Sequence, residues 1–235
     1  MNTIGIIGGI GPESTIEYYR LIIKLYREQR PDGSYPTIII NSINLRKMLD
    51  LVADGKLRDL TEYLVGEVMK LAKAGAALGL FASNLPHLVF EDIARESPIP
   101  LISIVEATCE EVRRRGIKTA GLFGIGFTMQ SDFYPRVFAK QGIRIVVPPT
   151  DDQRYIHEKY TNELIPGLLS DETREGLLGI VDRLKEREGI EGLILGGTEL
   201  PLILRDETYH GMTFFNTSKI HAERTVALML LWEKP

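Results

Sequence analysis

Thr3-Ile4-Gly5-Ile6-Ile7-Gly8-Gly9-Ile10-Gly11-Pro12-Glu13-Ser14-Thr15 opens with an apolar run that stops at glycines and leads into a helix-forming segment. An apolar run without polar alternation marks a strand buried on both faces, as in a parallel sheet covered by helices. The glycines permit positive φ and close approach of backbone to a ligand, and Ser14 or Glu13 is placed to cap the helix expected over 14–27. The same alternation recurs along the chain. Apolar runs at 3–7, 37–41, 77–82, 101–104, 119–123, 143–147 and 192–195 alternate with amphipathic stretches at 14–27, 57–74, 104–115, 131–140, 173–188 and 218–231. This is the βαβ pattern of an α/β protein.

The pattern repeats once. Thr3–Gly8 is similar to Thr119–Gly124, and Gly75–Ser83 to Gly189–Gly197, at nearly equal offsets. Two similar tandem parallel-sheet, Rossmann-like halves are expected. Pro98 and Pro100 disfavour helix around a junction there, which sets a first α/β domain at 1–98 and a second at 99–213. The last segment, 214–235, either stays with the second half or packs back on the first. Each half presents two strand-end loops, 8–14 with 82–87 and 124–131 with 196–201. Ligands of such sheets bind beyond the carboxyl ends of the strands. Ser83 and Gly197 are therefore expected to face each other across one cleft that encloses a small molecule.

Composition narrows the function. With 28 Lys+Arg against 32 Asp+Glu, the net charge of −4 argues against a nucleic-acid partner, which needs a basic face for phosphates. The lone Cys109 excludes an internal disulfide and any mechanism that needs two cysteines. No apolar stretch is long enough for a membrane span, and the N-terminus has no signal-peptide pattern. The expectation is a cytoplasmic protein with no membrane partner.

The loops carry the candidate chemistry. After Gly8, a dinucleotide site wants a third glycine at 14 and an acid ending the next strand, but the chain has Ser14 and Asn41-Ser42. A nicotinamide cofactor is not expected. The amides of Gly9, Ile10 and Gly11 are suited to a carboxylate, although a tight strand-to-helix turn explains the glycines equally well. Ser83 stands where a buried strand ends, followed by Asn84, Leu85, Pro86 and His87. His87 reads as readily as a helix-start histidine as a catalytic one, and no Gly-x-Ser-x-Gly elbow is present. In Gly196-Gly197-Thr198-Glu199, Thr198 offers a hydroxyl and Glu199 a carboxylate, or both serve as ordinary caps. The four histidines show no metal-ligand spacing, so no metal is expected.

Taken together, these motifs resemble the aspartate/glutamate racemase family. The resemblance lies in Gly8–Thr15 with Tyr18-Tyr19, in Ser83-Asn84-Leu85-Pro86-His87 and in Gly196-Gly197-Thr198-Glu199-Leu200. Phe127-Thr128-Met129 through Tyr134, with Ile220–Glu223, is similar to its L-aspartate/glutamate-specific branch. The resemblance implies two α/β domains with pseudo-twofold symmetry, an active site in the cleft between them, and racemisation without pyridoxal phosphate or any other cofactor. It implies two thiols, or one thiol and a Thr, as acid and base on opposite faces of the substrate, since a thiol pKa lies near working pH. The resemblance places Ser83 at the first of these positions and Gly197, which has no side chain, at the second. It makes Gly9, Ile10, Gly11, Asn84, Leu85, Thr128, Thr198 and Glu199 the substrate-binding residues.

The departures from the family shape the functional expectation. Ser83 is a feeble base, Gly197 carries no proton, and Leu85 and Asn216 stand where the family commonly has Thr and Asp. The expected protein acts on a small amino acid or dicarboxylate at its α-carbon as a weak or altered racemase. The alternative is a catalytically inactive homologue that keeps the carboxylate-binding cleft. The resemblance suggests a homodimer, for which the Tyr18-Tyr19-x-Leu21-Ile22 stretch is the expected surface.

Overall fold

Residues 3–232 are described by a computed structural model. Residues 1–2 and 233–235, parts of the expected domain spans, lie outside the described residues. Of the described helices, none is long and apolar enough to cross a membrane. The chain divides into two compact units, one running to Ile104 and resuming at His221, the other spanning Val105–Ile220.

In the first unit the chain runs β1 (Ile4–Gly8), α1 (Pro12–Gln29), β2 (Ile38–Ser42), α2 (Leu45–Ala53) and α3 (Leu57–Lys73). It continues through β3 (Leu78–Phe81), a 3-10 turn (Leu85–Leu88), α4 (Phe90–Glu96) and β4 (Leu101–Ile102), after which α5 (Ile104–Arg114) begins. The sheet order is β2-β1-β3-β4, parallel throughout. β4 pairs with β3, so residues 101–102 belong to the first sheet and not to the expected span 99–213.

Strand β1 shows why its apolar run does not alternate. Ile4 and Ile6 enter one core with Tyr18, Ile22 and Tyr26 of α1, while Ile7 enters another with Leu64, Val68 and Leu71 of α3. Burial on both faces removes any use for polar residues within the strand. Tyr18, Ile22 and Tyr26 recur every four residues, the spacing of one helical face. This corrects the expected dimer surface at two positions, because Tyr18 and Ile22 are fully buried in their own unit's core, while Tyr19 is exposed and Leu21 half-buried.

The second unit holds β5 (Thr119–Phe123), α6 (Gly126–Gln130), α7 (Phe133–Ala139), β6 (Arg144–Val146) and α8 (Thr150–Lys159), which runs into a π-turn over Tyr160–Leu164. Then come α9 (Asp171–Glu188), β7 (Gly192–Leu195), α10 (Leu200–Ile203), β8 (Thr208–Tyr209), β9 (Met212–Asn216) and the start of α11 (Thr217–Trp232). The order is β6-β5-β7-β9-β8, parallel except for the β8–β9 hairpin. Without β8, this repeats the arrangement of the first sheet, with the unit's first strand between its second and third. Residues 214–216 lie in β9 of this second sheet. From His221 onward α11 is part of the first unit, where Ala222, Val226 and Met229 join the core of Ile4, Ile6 and α1.

Candidate functional site

In the first unit, the two loops named from sequence leave neighbouring strands at the same end. β1 and β3 pair in register from Ile4 with Leu78 to Ile7 with Phe81, and the Ala82 amide extends the ladder to the Ile7 carbonyl. Gly8–Gly11 and Ser83 are thereby placed side by side beyond the carboxyl ends.

The first loop is held by its own chain. Gly9 has a φ of 78°, and a Cβ there would lie 2.4 Å from the Ile43 carbonyl oxygen, so both conformation and space require glycine. Its amide donates to Thr15 Oγ1 at 2.9 Å, and is therefore engaged within the turn. The N-cap of α1 is Gly11, at φ 84°, without a side-chain cap, and Pro12 takes the first-turn position where a missing N–H costs nothing. The expected capping by Ser14 or Glu13 does not occur. Ser14 is buried within the first turn. Ile10 is buried beside Ile43 and Met48.

Ser83 follows β3 half-buried, and its Oγ accepts from the Leu85 amide at 3.4 Å. Asn84, Leu85 and His87 are buried around it. His87 Nε2 accepts from the Ile104 amide at 3.2 Å, which leaves Nδ1–H to donate to the Asn84 carbonyl at 3.2 Å. Burial, reinforced by the neighbouring His221, lowers its pKa to about 3. A neutral imidazole with both nitrogens occupied holds the turn in place; it does not activate Ser83.

The second unit repeats this plan. β5 and β7 are paired, and the Gly196 amide donates to the Phe123 carbonyl at 2.7 Å. Thr128, in α6, is buried with its methyl and Cβ against the space of Gly124 and Gly196. It packs the two loops of this unit together.

Gly197, Thr198 and Glu199 then meet a residue that sequence reasoning missed. The Tyr160 hydroxyl donates to Glu199 Oε2, and the Thr198 hydroxyl reaches the same oxygen at 2.7 Å. The Glu199 amide points back to the Tyr160 oxygen at 3.5 Å. Burial first, and the Glu199 charge second, push the Tyr160 pKa well above the usual phenol value, so Tyr160 stays protonated. The segment carrying Tyr160 was not expected to be helical. Its signal is Ile156, Tyr160 and Leu164, buried at intervals of four.

Asn216 accepts from the Lys219 amide at 3.0 Å and so caps α11, which explains its residue type without a ligand. Cys109 is buried within α5, where desolvation raises its pKa to about 11. Among the described residues, no three His, Cys, Asp or Glu side chains are grouped to hold a metal ion.

Comparison with known proteins adds the family. The model described as Asp/Glu/Hydantoin racemase matches residues 7–225. The broad specificity amino-acid racemase RacX of Bacillus subtilis is 29% identical over 147 residues, which cover 61% of this chain and 63% of that protein, less than two thirds of its length. A solved structure of an aspartate racemase homologue from Pyrococcus horikoshii is 36% identical, with a TM-score of 0.83 over 97% of this chain and 99% of that one. A candidate Asp/Glu racemase from Yersinia pestis is 30% identical, with a TM-score of 0.89 over 98% of this chain and all of that one.

Proposed function

Because the chain belongs to the Asp/Glu/hydantoin racemase family, we propose that it acts without a cofactor at the α-carbon of a small amino acid or dicarboxylate. The observation that carries this reading is the half-buried Ser83 hydroxyl at the end of β3, beside the glycine turn that ends β1. Loosening an α-proton needs a base at the carbon and polar groups that hold the carboxylate while charge builds on it. Ser83 is the side chain that meets the first need in this unit. Asn84 and the amides of Ile10, Gly11 and Leu85 are the candidate binding groups of the first unit, and Thr198 and Glu199 those of the second.

Racemisation is expected to be weak. A serine hydroxyl titrates far above neutrality unless a neighbour activates it, and His87 is not free to do so. Gly197 supplies no proton of its own. The same two facts favour a second reading, a homologue that binds amino acids or dicarboxylates without turning them over. Proton NMR of L-aspartate and L-glutamate in heavy water separates the two readings, with calorimetry alongside. Loss of the α-proton signal supports the enzyme. Binding without exchange supports the binder, and absence of both at millimolar concentration removes the assignment. A cytoplasmic homodimer completes the reading, testable by sedimentation and by cell fractionation.

A further inference from the structure

Gly197 has no positive φ that would call for glycine. Its need is space. A Cβ built there would lie 2.5 Å from Tyr160 Cε2 and 2.6 Å from the Tyr160 hydroxyl, closer than real Cβ contacts come. The volume that a side chain at 197 would occupy is filled by a phenol from another element. That phenol is brought in by the π-turn Tyr160–Leu164, which interrupts the helix that α8 would otherwise continue, and π-turns of this kind recur at functional sites. It is also bonded to a buried carboxylate, although a buried carboxylate is costly to keep in a core that only needs filling.

We propose that Tyr160, with Glu199 behind it, is the proton-transferring group of the second unit. The proposal rests on the α-carbon reading above. At rest the phenol carries its proton and donates it in a hydrogen bond to Glu199 Oε2. When the α-C–H bond breaks, its electron pair stays on the carbon, delocalised into the substrate carboxylate. The proton bonds to the Tyr160 oxygen while the phenol's own proton passes to Glu199 Oε2 along the hydrogen bond already present. The reverse step delivers a proton back to the carbon. Thr198, half-buried and bonded to the same Oε2, links that oxygen to solvent, where the proton exchanges. The carboxylate makes the step feasible because a phenolate never has to stand alone beside it.

The test is exchange of the α-proton of L- and D-aspartate and L- and D-glutamate with heavy water, followed by NMR on the intact protein. The unmodified chain is expected to exchange at least one of the four. In Tyr160→Phe, which keeps the ring and removes the hydroxyl, the rate at saturating amino acid is expected to fall about a hundredfold, the scale of a lost general acid–base group. Its KM should change little. Glu199→Gln should lose the rate similarly. An unchanged rate in folded Tyr160→Phe overturns the proposal and leaves the α-carbon reading standing. If that variant does not fold, Gly197→Ala, which displaces the ring with no change in titratable groups, decides in the same way. No exchange of any of the four by the unmodified chain overturns the α-carbon reading, and this proposal with it.

Discussion

The Tyr18 hydroxyl lies 2.8 Å from Nδ1 of His221, although 203 residues separate them. His221 Nε2–H donates to the Ile102 carbonyl at 3.0 Å, so Nδ1 is the acceptor and the tyrosine the donor. Both side chains are fully buried. This three-part bond ties α1, β4 and α11 into one layer of the first unit.

Breaking it should be expensive. Tyr18→Phe leaves a buried imidazole nitrogen without its donor, which costs about 1–3 kcal/mol. His221→Ala removes both bonds and leaves a cavity, and should cost more. Urea titration of the two variants against the parent checks this, and the order His221→Ala below Tyr18→Phe below parent is expected.

Acid should destabilise the first unit before ordinary carboxylates titrate. Burial lowers the His221 pKa to about 4, and burial with the His221 charge lowers that of His87 to about 3, both from 6.5. Between pH 6.5 and about 4 the unfolded chain therefore takes up protons that the folded chain does not. Stability present above pH 6.5 is lost on acidification, by up to about 1.4 kcal/mol per pH unit for each histidine. Thermal melts from pH 7.5 to 4.5 should slope downward, and a level profile would contradict the buried neutral pair.

A thiol cannot simply be installed at position 197. Gly197→Cys should destabilise the second unit by about 1–3 kcal/mol, because its Cβ meets the Tyr160 ring and overpacking forces the neighbour to move. The penalty should largely vanish when Tyr160→Ala has already emptied the space. A double-mutant cycle in denaturant measures that coupling, and additive effects would show that the two positions do not compete.

Cys109 should be inert. Its thiol is buried, with a pKa pushed up to about 11, so almost none is thiolate at neutral pH. Iodoacetamide at pH 7.5 is expected to leave the folded protein unmodified and to label it only once denatured.

Strand identity and the repeated half were legible in the sequence because burial on both faces writes itself locally, as uninterrupted runs such as Ile4–Ile7 and Leu193–Leu195. Glycine loops that end those strands were legible for the same reason, through backbone chemistry carried by the residues themselves. The short strand β9 escaped notice, since Met212–Asn216 is hidden between a hairpin and a helix start and is fixed by pairing with β7. So did Tyr160, which the chain places 37 residues before Gly197 and which declares its role only by filling a space that another residue leaves open. Sequence determined that position 197 lacks a side chain. Tertiary structure alone decided what stands there instead, because a vacancy within hydrogen-bonding reach of Glu199 is a property of three elements packed together and of none of them singly.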